Sequence, residues 1–328
     1  MVSAPCFRLP LCFDVERLQA DLDVLERRPW PPERPFIMRT PFPARTMTYH
    51  DGKWRGLALR SQGGDPERTD PGGPGLDAFA DTELLAQAPA IREVVDSLDC
   101  EKRSVRLLLL PPDAEVHPHT DPYHGFKYGQ LRLHVPIRTH PDVRMRFGDE
   151  AFHWPAGELW YADFGRPHAV ENRSRVTRVH LVIDALVTPA LLRLFPEDVV
   201  AAEDASGILL HPPAVPATAD ELRRYACDYR MPAALVQGLL ETDDGSVPGE
   251  LGGQVRLDGG RLVLELEGTP LFALEPIGGH RFRLCGWTQE RSVEFRLGGA
   301  HGAVDGLVVV LRAGRAESRI ELPATPVG

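Results

Sequence analysis

The sequence predicts a mainly β chain: a jelly roll with flanking helices, a helical connector, and a small separate C-terminal β domain. Three observations carry this. Short apolar-rich runs separated by turn residues fill the stretch from Arg103 to Val187, with no helix between them. A second series of short strands occupies Gly249 to Pro323. Thirty-one prolines and thirty glycines leave room for many turns and few long helices.

In order, Asp14 caps a helix whose stripe is Val15, Leu18, Leu22 and Leu25, and Trp30-Pro31-Pro32 ends it. Phe36–Arg39 and Arg45–Tyr49 read as short strands. After the turn His50-Asp51-Gly52-Lys53, Trp54 to Arg60 reads as another. Ser61 to Asp77 is a glycine- and proline-rich loop, read first as a surface connection and second as a lid. Asp81 to Asp99 is helical with a break at Pro89, and Ile91, Val94, Val95 and Leu98 form its core stripe. Arg103–Leu110 is a buried strand. Gln130–Arg138, Val143–Phe147, Ala151–Trp154, Glu158–Tyr161 and Thr177–Val187 follow as strands.

Ala190–Leu194 and Ala219–Leu240 read as helices around a proline-rich connection, His211–Pro216. Seven strands are expected beyond, from Gln254–Leu257 to Arg319–Leu322. The domain limits are therefore set at 1–189, 190–248 and 249–328.

Composition narrows the function classes. Hydrophobic residues make up 43% and charged residues 26%, the profile of a globular protein with a sizeable core. A net charge of -10 argues against a nucleic-acid partner. The five cysteines are scattered and lack CxxC spacing, which argues against a disulfide framework or a thiolate zinc site. No apolar run approaches the ~18 residues of a membrane span, and the first ten residues do not read as a signal peptide. A cytoplasmic location and no membrane partner are expected.

The chemistry concentrates between Pro118 and Val187. His119 and Asp121 stand at i and i+2, so on an extended segment both side chains reach one face. His168 follows 47 residues after Asp121 and can return to the same point from a neighbouring strand. Two histidines and one carboxylate form the facial set of non-haem iron oxygenases, which leaves three positions open. Arg178 lies ten residues after His168, placed to pair with a cosubstrate carboxylate. His180 shares its face, and Arg132 and His134 share a face on an earlier strand, opposite Leu131, Leu133 and Val135.

These residues compete with plainer readings. His117 could replace Asp121 in a cupin-type site, His124 and His153 read as surface or supporting groups, and Arg132 or Arg178 could serve in structural ion pairs.

The ordered set resembles the aspartyl/asparaginyl β-hydroxylase family, which includes bacterial proline hydroxylases. The matching positions are His119, Arg132 to Pro136, Gly157 to Trp160, His168, Arg178 and Asp184, within roughly Trp54 to Val187. The resemblance implies a double-stranded β-helix, the cupin-like jelly roll. It implies Fe(II) held by His119, Asp121 and His168, with 2-oxoglutarate and O2 as cosubstrates. Arg178 would bind the distal carboxylate of 2-oxoglutarate, and Arg132 and His134 would contact 2-oxoglutarate or the substrate carboxylate. Asp121 follows the prolyl-type members, since the animal aspartyl hydroxylases lack that carboxylate. Those enzymes also use a serine on the preceding strand; here that stretch is Leu108-Leu109-Leu110, so the contact is either absent or taken over by Arg106.

The expected activity is hydroxylation of an unactivated aspartyl, asparaginyl or prolyl carbon in a peptide, for example a ribosomal natural-product precursor. The alternative is a free amino acid such as proline. A non-catalytic cupin-like metal-binding protein is the reading outside this class.

Overall fold

The computed structural model describes residues 4–42, 50–237, 249–298 and 302–327. It divides into two compact units. The first comprises Met1–Phe36, Met47–Gly72 and Phe79–Leu210; the second comprises Ile37–Thr46, Gly73–Ala78 and His211–Gly328.

In the first unit, β1 (Cys6–Cys12) precedes α1 (Val15–Leu25), whose Glu16 and Arg17 amides donate to the Asp14 carboxylate. Next come β2 (Arg55–Gln62), β3 (Phe79–Asp81) and α2 (Pro89–Asp96), with Pro89 in its first turn. Eight strands follow: β4 (Lys102–Leu110), β5 (Ala114–His119), β6 (Gln130–Arg138), β7 (Val143–Phe147), β8 (Glu150–Phe152), β9 (Glu158–Ala162), β10 (His168–Asn172) and β11 (Arg178–Leu186). Two short helices, α3 (Pro189–Leu192) and α4 (Glu197–Ser206), close the unit.

The strands form a seven-stranded sheet, β1-β9-β6-β11-β4-β2-β3, and a four-stranded sheet, β5-β10-β7-β8. From β4 to β11 the chain passes back and forth between them. Period-two alternation gives the larger sheet two unlike faces. Leu131, Leu133, Val135 and Ile137 of β6 and Val179, Leu181, Ile183 and Ala185 of β11 pack with the α1 and α2 stripes into one core. The other face of these strands carries Arg132, His134, Arg178, His180 and Asp184. A second core, including Leu110, Val116, Phe147, Phe164 and Val170, joins residues of both sheets. Gly157, at φ 78°, allows the turn before β9; a Cβ there would stand 2.6 Å from the Phe13 carbonyl oxygen.

The second unit carries α5 (Ala219–Arg223), β12 (Cys227–Pro232), α6 (Ala234–Gln237) and β13 to β19 (Glu250–Asp258, Arg261–Leu266, Thr269–Gly278, Arg281–Leu284, Arg291–Gly298, Ala303–Ala313, Ala316–Pro326). β12 to β19 are antiparallel neighbours in chain order, and β12 pairs with β19 to close a barrel.

Several expectations differ from this structure. The mainly β class holds, but the expected helix over 219–240 is α5, then β12, then α6. Cys227 and Tyr229 point inward while Asp228 and Arg230 are exposed, a strand's alternation that pairing with β13 and β19 rewards. The 190–248 connector is thus divided: α3 and α4 belong to the first unit, and residues from His211 onward to the second. Residues 36–39 form no strand, and the expected strand at 45–49 lies outside the described residues. β1, β5 and β10 were not foreseen.

Candidate active site

β5 and β10 bring the candidate ligands together. They pair antiparallel with His119 directly opposite His168, and the two rings lie 4.3 Å apart between centroids. Asp121 follows β5 by two residues, where its amide donates to the Phe164 carbonyl at 2.9 Å. Ligand atoms of His119, Asp121 and His168 all lie within 4.8 Å of one another. Asp121 Oδ1 stands 3.6 Å from His119 Nε2.

The hydrogen bonds of both imidazoles suit a metal. His119 Nδ1 faces the His117 carbonyl at 2.8 Å, and His168 Nδ1 faces the Arg166 carbonyl at 3.0 Å. A carbonyl only accepts, so each Nδ1 carries the proton and each Nε2 presents a lone pair. Burial also lowers the His168 pKa to about 4, against the pull of Asp121, so the ring is neutral near pH 7. Burial pushes Asp121 up, but Arg132 and the histidines around it more than offset this and keep it ionised. Two imidazoles that turn Nε2 away from their carbonyl partners, and a carboxylate, fit a divalent iron centre. His117 does not join them: its side chain is 54% exposed beside Glu115, and its contribution is the carbonyl that holds His119.

Arg132 and Arg178 have opposite surroundings. On β6, Arg132 stands across from Asp184 of β11. It grips that carboxylate through Nε at 2.7 Å and Nη2 at 3.1 Å, while Nη1 binds Asp121. Ser104 donates to Asp184 at 2.6 Å, and His124 Nε2 lies 3.4 Å from it. Burial raises the Asp184 pKa, but Arg132 and His124 outweigh it and hold the group well below the usual range. Arg106 extends the network to the Thr69 carbonyl at 3.1 Å and to Glu33 at 3.5 Å. Burial pushes Glu33 up to about 7, against the attraction of Arg106 and Arg132.

Arg178 is 2% exposed and has no carboxylate partner among the described residues. Its Nη2 meets His180 Nδ1 at 2.8 Å, and its Nε has no hydrogen-bond partner. Burial lowers its pKa to about 9. His134 Nε2 and His180 Nε2 are also buried without partners. Burial and the Arg178 charge keep both rings neutral. Phe164 stacks on His134 at 5.1 Å, and Trp154 stacks on His180 at 6.1 Å. A buried cation beside unsatisfied donors and aromatic walls is a receptor for an anion.

Arg178, Arg132, His134, His119, Asp121 and His168 thus all belong to the interior between the sheets. The sequence reading passed over Glu33 and Ser104, and it gave Asp184 as a matching position without a role. Asp184 shares the period-two face of Arg178 and His180, which was the available signal. Glu33, in a proline-rich stretch after α1, had none.

Residues 37–187 match the family model described as Aspartyl/Asparaginyl beta-hydroxylase. Over these residues the chain is similar to that family. A curated relative, L-proline cis-4-hydroxylase of Rhizobium meliloti (strain 1021), is 29% identical over 174 residues, covering 52% of this chain and 57% of the relative. The chain therefore spans little more than half of that relative. Among solved structures, a Pseudomonas putida prolyl-4-hydroxylase is 16% identical, with 57% of this chain and 94% of that one covered and a TM-score of 0.35. A 2OG-Fe(II) oxygenase family oxidoreductase from Burkholderia pseudomallei is 13% identical, with 56% and 85% covered and a TM-score of 0.37. At such scores the structural likeness carries no weight, and the similarity to the family rests on sequence.

Proposed function

We propose that the first unit is an Fe(II)- and 2-oxoglutarate-dependent dioxygenase that hydroxylates an unactivated carbon of an amino acid. The observation that carries this reading is the meeting of His119, Asp121 and His168 within 4.8 Å, together with a buried Arg178 that has no carboxylate partner among the described residues. The passage of successive strands β4 to β11 between two sheets supports reading the unit as a jelly roll of the double-stranded β-helix type.

His119, Asp121 and His168 hold the metal from one side. Arg178 takes the distal carboxylate of 2-oxoglutarate, which supplies the charge that its burial calls for. Arg132 fixes Asp121 through one nitrogen and is itself fixed by Asp184, so it positions the ligand carboxylate. His134, His180, Phe164 and Trp154 form the wall that keeps water from the reacting centre. When bound, Fe(II), 2-oxoglutarate and O2 supply the oxidation that turns C–H into C–OH, with release of succinate and CO2.

The substrate is an aspartyl, asparaginyl or prolyl residue in a peptide, or a free amino acid. The relative named for L-proline hydroxylation favours the free amino acid. The test is incubation with Fe(II), 2-oxoglutarate and O2, with free L-proline, L-aspartate and L-asparagine set against peptides containing them. Succinate formation matched by a gain of one oxygen on one of them supports the reading. Succinate-free incubations with every candidate unchanged count against it.

A further inference from the structure

The barrel of the second unit is filled at one end and hollow at the other. At the filled end the rings of Tyr225, Phe282 and Phe295 lie 4.9 to 5.2 Å apart. Leu262 and Val304 pack with them at 1% exposure or less. At the other end β18 turns Leu307, Val309 and Leu311 inward at period two, and β19 turns Ile320 and Leu322 inward. They surround a cavity of about 150 Å³. Val309, Leu311, Ile320, Phe272 and Met231 keep partial exposure inside a closed barrel because they face this space. Met38 and Phe42 contribute at its rim.

The polar groups of the wall have protein partners. Tyr229 donates its hydroxyl to the Glu265 carbonyl at 2.7 Å. The Thr40 hydroxyl bonds the Phe42 carbonyl, and the Arg291 guanidinium lies 3.8 Å from Glu290. The wall is therefore mostly apolar, and water would find few partners there. Folded interiors otherwise leave few gaps larger than a water molecule. Eight-stranded barrels are the size at which the interior either fills with side chains or holds one small ligand.

We propose that this cavity binds a small uncharged apolar molecule, the size of one aromatic ring or a branched five-carbon alkyl group. The proposal is independent of the activity assigned to the first unit. An apolar cavity of roughly this volume stays dry and takes up benzene in a well-studied engineered protein, which sets the size of the occupant.

The protein carries its own reporters. Of its five methionines, Met38 and Met231 line the cavity, and Met145 lies in a core of the first unit. With 13C-methyl methionine labelling and toluene as the probe, the Met231 and Met38 signals shift saturably while Met145 stays fixed. Val309→Trp fills the space and weakens toluene binding at least about tenfold. Leu311→Ala enlarges it and moves the preference from toluene towards naphthalene. No saturable shift up to the solubility of toluene, or equal movement of Met145, overturns the proposal. So does undiminished binding in folded Val309→Trp. Should that variant misfold, an unchanged toluene-to-naphthalene preference in Leu311→Ala overturns it.

Discussion

Replacing Arg178 with methionine is expected to stabilise the ligand-free protein while removing its response to 2-oxoglutarate. The guanidinium is buried, meets no carboxylate among the described residues, and has its pKa lowered by burial to about 9. At ~1.4 kcal/mol per pH unit, a lowering of roughly three units or more is worth about 4 to 5 kcal/mol of unfavourable burial. Folding depresses this pKa, so the cost is fully present below about 9 and is relieved only as pH rises beyond it. Between pH 6 and 8 the cost is therefore constant. Methionine keeps much of the volume and removes the charge. Exchanges of buried ions for apolar groups gain roughly 1 to 4 kcal/mol, and loss of the bond to His180 subtracts part. The melting temperature should rise by roughly 2 to 10 °C, at ~2–4 °C per kcal/mol for a unit of this size. Differential scanning fluorimetry under nitrogen, with a divalent metal and with or without 2-oxoglutarate, reads both effects. The wild type should gain stability from 2-oxoglutarate and the variant should not. A variant less stable than the wild type, yet still stabilised by 2-oxoglutarate to the same extent, would refute the reasoning.

Other substitutions probe the surrounding network and the barrel. Arg132→Met leaves Asp184 buried without its bidentate partner and should cost about 3–5 kcal/mol in urea unfolding. Adding Asp184→Asn should recover part of that loss. Glu33 has a carboxyl raised by burial to about 7, so its contribution is most favourable below the unfolded value of ~4.3 and declines as pH rises to about 7. Glu33→Gln should thus be more stable than the wild type at pH 8, and the difference should shrink by pH 5; equal melting curves at both pH values would contradict this. In the barrel, Phe282→Ala removes a ring packed on Tyr225 and Phe295 and should cost about 3–5 kcal/mol by chemical denaturation.

Much of the site was legible in the sequence because its chemistry follows strand periodicity. His119 and Asp121 at i and i+2, and the alternation of Arg178, His180 and Asp184 with Val179, Leu181 and Ile183, need nothing beyond the pleat. What escaped depends on register between distant segments. Arg132 and Asp184 are 52 residues apart, and only the pairing of β6 with β11 places them opposite each other. This pairing makes Arg132 a brace for Asp121, while Arg178 keeps a buried charge with no carboxylate partner among the described residues. β5 and β10 were hidden because Pro118, three histidines and two glutamates interrupt any apolar pattern. β1 was hidden by Pro10, which an edge strand tolerates. β12 was hidden by helix-favouring Ala and Leu residues beyond it, against which the Cys227/Tyr229 alternation was a weak signal.

The central claim is that His119, Asp121 and His168 form one Fe(II) site that completes the 2-oxoglutarate site at Arg178. Anaerobic equilibrium titration of 2-oxoglutarate, with and without Fe(II), tests it most directly. One equivalent should bind with Fe(II) present. Binding should be at least about a hundredfold weaker without the metal or in His119→Ala, Asp121→Ala and His168→Ala, and unchanged in His117→Ala. Binding of 2-oxoglutarate that ignores both Fe(II) and the three ligand substitutions would contradict the account.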